Sequence, residues 1–279
     1  MEREVKFTAG ADIEMFIEQD GTYLPAHHFT EGTKDEPEAL PSGGFISYDN
    51  VAIEFGVKPA NTEDEFADHI LTTIREVSEY LPSDVAVVIV PSAHFHETQL
   101  LDSICREAGC DPDYNAWTGK QNIVADDIMD GTLRSCGGHL HIGHPFAQKN
   151  PREWIQWMDY LNGMISTRLD NSKASLERRK LYGKAGCYRE TEYGAEYRTL
   201  SNFWVKDEIN IRLQYSLLND LVNILEYGKT VLPNLSADQV QKVINTGDAK
   251  YAQQIVKTHI WGLLSDYTKG LLDKAGYGD

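Results

Sequence analysis

The sequence predicts an α+β fold in one domain. Three observations carry that reading. Segments alternating between apolar and polar residues crowd the first two-thirds of the chain, and helical spacing dominates the remainder. No Pro/Ser-rich linker or low-complexity tract divides the 279 residues. The expected organisation is a single domain over residues 1–279, with strands mainly in 1–205 and a helical part in 206–279. That length buries a sizeable core, and 41% hydrophobic with 25% charged residues is ordinary for a globular protein.

Each element follows from a local signal. "DIEMFIEQDGTYLPAH" reads as two strands about an Asp20–Gly21 turn. "GGFISYDNVAIEFGVKP" reads as a further strand or hairpin, ended by Gly56 and Pro59. Thr62 then caps a helix, and Glu65 completes a capping box. Phe66, Ile70, Leu71, Ile74 and Val77 form the apolar stripe of that helix. The continuous apolar run "VAVVIVP", residues 85–91, reads as a strand buried on both faces. Residues 97–108 read as helical. Asn150, Pro151 and Glu153 open a helix running through "WIQWMDYLNGMISTRL", where Trp154, Trp157 and Tyr160 fall at core spacing. A long helix spans Asp207 to Tyr227 and stops at Gly228, and Ser236 caps the helical remainder.

Charge narrows the function classes. The formal net charge of −17 repels nucleic acid and anionic lipid, so no duplex or membrane partner is expected. Against that background residues 173–189 form a basic island: Lys173, Arg178, Arg179, Lys180, Lys184 and Arg189. Such an island suits a small anion. Cys105, Cys110, Cys136 and Cys187 show no CxxC spacing and read as reduced thiols. The acidic start "MEREVKFTAGADIEMF" lacks a signal-peptide apolar core, and no apolar run nears the ~20 residues that span a bilayer. The expected location is the cytoplasm, and homo-oligomeric assembly is compatible with the sequence.

Chemistry-bearing residues recur at strand period. In "SCGGHLHIGHP" His139 and His141 share one strand face, and Leu140 and Ile142 take the other. Asp12 and Glu14 share a face in "GADIEMF", as do Asn50 and Glu54 in "DNVAIEF" and Glu196 and Arg198 in "YGAEYRTL". A sheet face merely wetted by solvent would carry Lys, Thr, Ser and Gln. These positions are carboxylates and imidazoles, which suit Mg²⁺ or Mn²⁺. Carboxylates crowded on one face repel one another, and divalent cations relieve that repulsion. Nearby arginines then grip phosphate oxygens through bidentate pairs. No P-loop or Rossmann fingerprint is present. His27, His28, His94 and His96 stand beside turns and read as ordinary loop histidines, and Gly183, Gly186 and Gly194 read equally well as flanking a nucleotide or as turn residues.

"GADIEMF", "DNVAIEF", "GGHLHIG" and "RRKLYGKAGCYRETEYGAEYRTLSNFW" together resemble the phage-type carboxylate–amine ligases, roughly over residues 8–205. These amidoligases belong to the glutamine synthetase and glutamate–cysteine ligase superfamily. Asp12 and Glu14 match the acidic positions of its G-x-E-x-E-F-F strand, His139 and His141 its H-x-H strand, and Glu196, Tyr197 and Arg198 its E-F-R strand. Asp12 is shorter than the glutamate usual there, and Glu54 is the only clear acid of its segment. The resemblance implies an antiparallel sheet curved into a half-barrel, helices packed outside, and metals in its mouth. It also implies ATP-dependent amide formation through an acyl phosphate, with ATP and Mg²⁺ (or Mn²⁺) required. Asp12, Glu14, Glu54, Glu196 and His139 would hold metal, with His141 a second ligand or a phosphate contact. Arg198, Arg189 and Glu54 would be catalytic. Arg178, Arg179 and Lys184 would be further nucleotide contacts, a solvated helix end being the competing reading for the two arginines. The partners implied are a small-molecule or peptide carboxylate and an amine or ammonia. A metal-dependent hydrolase and an inactive nucleotide-binding relative are the rival classes.

Overall fold

The computed structural model describes residues 7–106, 113–122, 131–228 and 232–278. Its central element is β1 (Thr8–Gln19), whose alternation splits the molecule. Ala9, Ala11, Ile13, Met15 and Ile17 enter the main apolar core. Phe16, on the opposite face, joins a smaller cluster with Val51, Phe95, Leu100 and Cys136. Asp20 and Gly21 take φ of 49° and 78°, the left-handed pair that a two-residue hairpin turn needs before β2 (Thr22–Leu24).

A short β3 (Glu38–Ala39) precedes the hairpin of β4 (Phe45–Asp49) and β5 (Ala52–Gly56). After α1 (Glu63–Tyr80) come β6 (Ala86–Val88), β7 (Ser92–His94), β8 (Tyr114–Asn115), β9 (Leu133–Ser135) and β10 (Gly138–Gly143). Helices α2 (Pro145–Lys149), α3 (Pro151–Met158), α4 (Met164–Leu169) and α5 (Lys173–Leu181) lead to β11 (Cys187–Thr191) and β12 (Gly194–Tyr197). The chain closes with α6 (Glu208–Tyr227), α7 (Ala237–Thr246), α8 (Ala249–Ile255) and α9 (Asp266–Lys274).

Among the described residues, the large sheet runs in the order β3-β4-β5-β1-β10-β12-β11-β8, with β2 and β6 on the far half of β1. Every pairing in it is antiparallel. The mixed α+β class expected from the sequence is therefore present. One core cluster runs from Phe7 to Tyr277, joining the sheet to its helices, and contains Trp154, Trp157 and Tyr160 as their spacing predicts. No helix among the described residues is long and apolar enough to cross a membrane. Cys105, Cys136 and Cys187 are buried free thiols, and Cys110 lies outside the described residues.

Several local expectations need correction. Asn50 has φ of 58° and forms the β4–β5 turn, so strand alternation does not reach it from Glu54. The run 85–91 yields only the short strand β6, which is half-buried and pairs with β1 alone among the described residues. Val85, Val87 and Ile89 touch the main core and Val90 the smaller cluster, so each face meets a different, thinner layer. In place of a helix over 97–108 stand two 3₁₀ turns, Glu97–Leu100 and Ile104–Arg106, residues 107 and 108 lying outside the described ones. His96 and Asp102 accept the N–H groups of Thr98 and Ile104, local bonds that compete with a continuous helix. In α1, Thr62 accepts the Glu65 N–H as expected, but the Glu65 carboxylate takes Asn61 N–H, one residue before the cap. Leu71 is 39% exposed because the buried stripe centres on Phe66, Ile70, Thr73 and Val77. The helix expected from Asp207 begins at Glu208, with Asp207 as its cap, and Ser236 caps α7 as expected, in a full capping box with Gln239.

The helix expected from Pro151 is interrupted by a π turn, Asp159–Gly163. Asp159 is fully buried there and accepts from Trp117 Nε1 at 2.5 Å, Tyr197 Oη at 2.7 Å and Thr199 Oγ1 at 3.4 Å. Burial pushes its carboxyl from an ordinary 3.8 up to about 7, against the pull of those donors. A carboxyl raised on folding contributes stability that is full below its unfolded pKa and lost as pH rises through the folded value. Asp159→Asn removes this dependence and sets an amide N–H against a donor, a cost of about 1–3 kcal/mol. The expected result in thermal denaturation is a deficit against the native chain that is larger at about pH 5 than at about pH 8.

Candidate active site

The face of β1 opposite the core carries Asp12 and Glu14, and strand register gathers the other candidates around them. Asp12 stands opposite His139, and Glu14 opposite Glu54. His141 stands opposite Glu196, and Glu196 in turn opposite Arg189. In antiparallel pairs opposed side chains share a face, so five strands deliver one array. Two chambers open on it. The inner, of about 60 Å³, is lined by Glu14, Asp49, Asp113, His139, Arg178 and Arg198 among others. The outer, of about 190 Å³, is lined by Asp12, Lys34, Asp49, Glu54, Arg189 and Arg198 with Phe45 and Ser47. Asp49 and Arg198 belong to both.

The acids are crowded. Glu14 is buried, and its Oε2 accepts Gly137 N–H at 2.6 Å. Burial first, then the charge of Asp49, raises its pKa. Glu54 is raised well above the usual carboxylate range by burial and by the charges of Asp49, Glu14 and Asp12. The imidazoles diverge. Burial and the guanidiniums of Arg198 and Arg178 hold His139 well below its ordinary value, so its ring is neutral. Burial would lower His141 too, but the charge and hydrogen bond of Asp12, whose Oδ2 lies 2.8 Å from Nε2, raise it. Its Nδ1 meets Tyr193 Oη at 2.5 Å.

Arg198 ties the array together. Its Nη1 donates to Glu196 Oε1 and lies 3.1 Å from His139 Nδ1, and its Nε lies 2.7 Å from Asp113 Oδ1. Arg189 approaches the same two acids, with Nη1 3.9 Å from Glu196 and Nε 3.8 Å from Asp113. Arg178 comes from α5, 2% exposed, and donates Nη1 to the Thr199 carbonyl at 3.0 Å. Glycines make room for two of these groups. A Cβ on Gly137 would meet the His139 ring at 2.3 Å, and one on Gly183, whose φ is 69°, would meet Arg178 Nη1 at 1.8 Å.

The structure thus brings together Asp12, Glu14, Glu54, His139, His141, Glu196, Arg189, Arg198 and Arg178. Arg179 and Lys184 line neither chamber. Arg179 turns to Asp170, donating Nη2 to its carbonyl at 2.9 Å beside its carboxylate at 3.7 Å. Among the described residues, Lys184 meets the site's neighbourhood through its carbonyl, which accepts Thr199 Oγ1. Neither Arg178 nor Arg179 is a solvated helix end, since both are buried. Asp49, Asp113 and Lys34 are the residues that sequence reasoning missed. Alternation through Phe45, Ser47 and Asp49 would have found the first, whereas Asp113 and Lys34 stand in no periodic segment. His27, His28, His94 and His96 line neither chamber.

Among the described residues, no three His, Cys, Asp or Glu side chains converge as a ready-made metal cluster. The acids instead hold Gly137, His141, Lys34 and Arg198. The donor set nevertheless fits a hard divalent cation. Glu14, Glu54, Asp49 and Asp12 repel one another, a neutral His139 stands beside them, and such an ion would relieve the repulsion that raises two of the acids.

The sequence model of the family described as phage phiEco32-like COOH.NH2 ligase-type 2 matches residues 129–268. The chain belongs to this family. The family's description names carboxylate–amine ligation as its type of reaction. The match takes in His139, His141, Arg178, Arg189, Glu196 and Arg198, while Asp12, Glu14 and Glu54 precede it. The structure is also similar to that of a bifunctional glutathione synthetase from Pasteurella multocida, with a TM-score of 0.52 and 8% identity. That likeness covers 98% of this chain but 45% of the other, so the chain spans less than half the length of that protein. At this identity the likeness is one of fold. No curated protein matches the sequence.

The crowding makes a measurable demand. A carboxyl raised on folding costs stability as pH rises through its folded value, so neutralising Glu54 relieves the metal-free protein. Metal-free Glu54→Gln should melt above the native chain at about pH 8, where 1 kcal/mol corresponds to about 2–4 °C at this size. Added Mn²⁺ should raise the melting temperature of the native chain and raise that of the variant less.

Proposed function

We propose that the chain is an ATP-dependent carboxylate–amine ligase working through an acyl phosphate, with residues 1–279 acting as one catalytic domain on a sheet curved as in glutamine synthetase. The observation that carries this reading is the set of arginines paired with strand acids where the two chambers meet. A site that only activates water has no need for guanidiniums aimed between two compartments.

The outer chamber would take the nucleotide phosphates. Lys34, Arg189 and Arg198 face them as cations, and Asp12, Asp49 and Glu54 with Glu14, Glu196 and His139 would hold Mg²⁺ or Mn²⁺. The bound cation supplies charge neutralisation for the phosphates. His141 holds Asp12 in place from one side while Tyr193 holds His141 from the other. The inner chamber would take the carboxylate, with Arg178 holding it from α5. A carboxylate oxygen attacks the γ-phosphorus, the bond to the β,γ-bridging oxygen breaks, and ADP leaves. Arg198, planar and present in both chambers, stabilises the charge spread over the equatorial oxygens during transfer. The amine nitrogen then attacks the acyl carbon, its C–O bond to phosphate breaks, and the amine loses one proton to give the amide.

Incubation with Mg²⁺–ATP, pooled amino acids and hydroxylamine should release ADP and form a hydroxamate, read by chromatography and mass spectrometry. AMP with pyrophosphate would overturn the reading in favour of adenylation, and hydrolysis without ATP would favour a hydrolase. Arg198→Lys keeps the charge and loses the fork, so turnover should fall at least about tenfold while calorimetric ATP affinity changes little.

A further inference from the structure

We propose that Asp113 is a positioning residue that aims Arg198 and Arg189 at the junction of the chambers, serving turnover and not nucleotide affinity. The inference rests on the ligase reading above. Asp113 is the residue before β8, the end strand of the sheet order, and β8 is paired with β11, which carries Arg189. Its backbone is fixed from the far side as well, since its carbonyl accepts Asn122 N–H at 2.7 Å. Two residues on, Asn115 accepts the N–H groups of Trp117 and Thr118 and donates to the Ala185 carbonyl. The aspartate therefore stands on an anchored platform.

Its side chain, 10% exposed, reaches Arg198 Nε at 2.7 Å and Arg189 Nε at 3.8 Å. Glu196 takes a different nitrogen of Arg198, Nη1. An ion pair at Nε and a hydrogen bond from Nη1 hold the planar guanidinium at two places, which limits its rotation as well as its position. Glu196 is wanted twice, however, because the ligase reading also gives it to the divalent cation. Asp113 lines the inner chamber and keeps the guanidinium directed whichever role Glu196 takes. Its negative charge opposes anions in the ground state, so nothing in this role helps ATP to bind.

The test is a separation of turnover from affinity. Asp113→Asn keeps the shape and removes the charge. Hydroxamate-coupled ADP release should fall at least about tenfold, the scale of a small misplacement of a reacting group. The dissociation constant for Mn²⁺–ATP should stay unchanged or tighten. Asp113→Glu, which restores the charge on a longer arm, should turn over faster than Asp113→Asn. Unchanged turnover in Asp113→Asn, or turnover and affinity lost by the same factor, overturns the proposal, the second outcome being that of a merely structural residue. Native protein that binds Mn²⁺–ATP but releases no ADP removes the ligase reading itself, and the role of Asp113 with it.

Discussion

The two-residue period of β1 is the constraint on which the site depends. The strand is flanked by β5 and β10, so its register is set on both sides and cannot slip without moving acids into the core. Ile13 and Met15 are wholly buried, and the apolar area they remove from water is worth about 1.5–3 kcal/mol each. That burial holds Asp12 and Glu14 on the opposite face, where desolvation and the charge of Asp49 raise the pKa of Glu14 and of Glu54, while His141 and the Gly137 N–H partly offset the crowding. The neighbours repeat the arrangement: Leu140 and Ile142 in the core against His139 and His141, and Ile53 and Phe55 against Glu54.

The back of the sheet holds the front. Between Glu196 and Arg198 the strand sends Tyr197 the other way, where its hydroxyl donates to Asp159. Asp159 also takes Trp117 and Thr199, so the π turn, the segment after β8 and the end of β12 share one buried acceptor. Buried polar networks of this kind are costly when incomplete and directional when complete. Here the network lies directly behind Glu196 and Arg198, and the interruption of the helix at Asp159–Gly163 puts its acceptor within reach.

Opposite charges in the array are balanced more closely than the net charge of −17 suggests. Most of the acidic excess lies elsewhere, while Arg178, Arg189, Arg198 and Lys34 come to the chambers from α5, β11, the end of β12 and the loop before β3. The basic island in the sequence is thus divided. Arg178 lines one chamber and Arg189 the other, whereas Arg179 lines neither and donates to the Asp170 carbonyl.

Periodicity and turn chemistry, both local properties, were legible in the sequence by itself. They determined the α+β class, the Asp20–Gly21 and Asp207 signals, and the shared faces of Asp12 with Glu14, His139 with His141 and Glu196 with Arg198. Family-like motifs added the ligase class. What only the tertiary structure decided were the pairings between distant segments. Glu14 meets Glu54, Glu196 meets Arg189, and Asp49 closes both chambers, because strands far apart in the chain lie side by side. Arg178 and Arg179 are adjacent and chemically identical, yet helical geometry turns one to the site and the other to Asp170. Asp113 had no local signal at all, since its contacts with Arg189 and Arg198 exist only where β8 meets β11. Residue type and spacing set which face a side chain takes; the meeting of two such faces is a property of sheet register, which no single segment encodes.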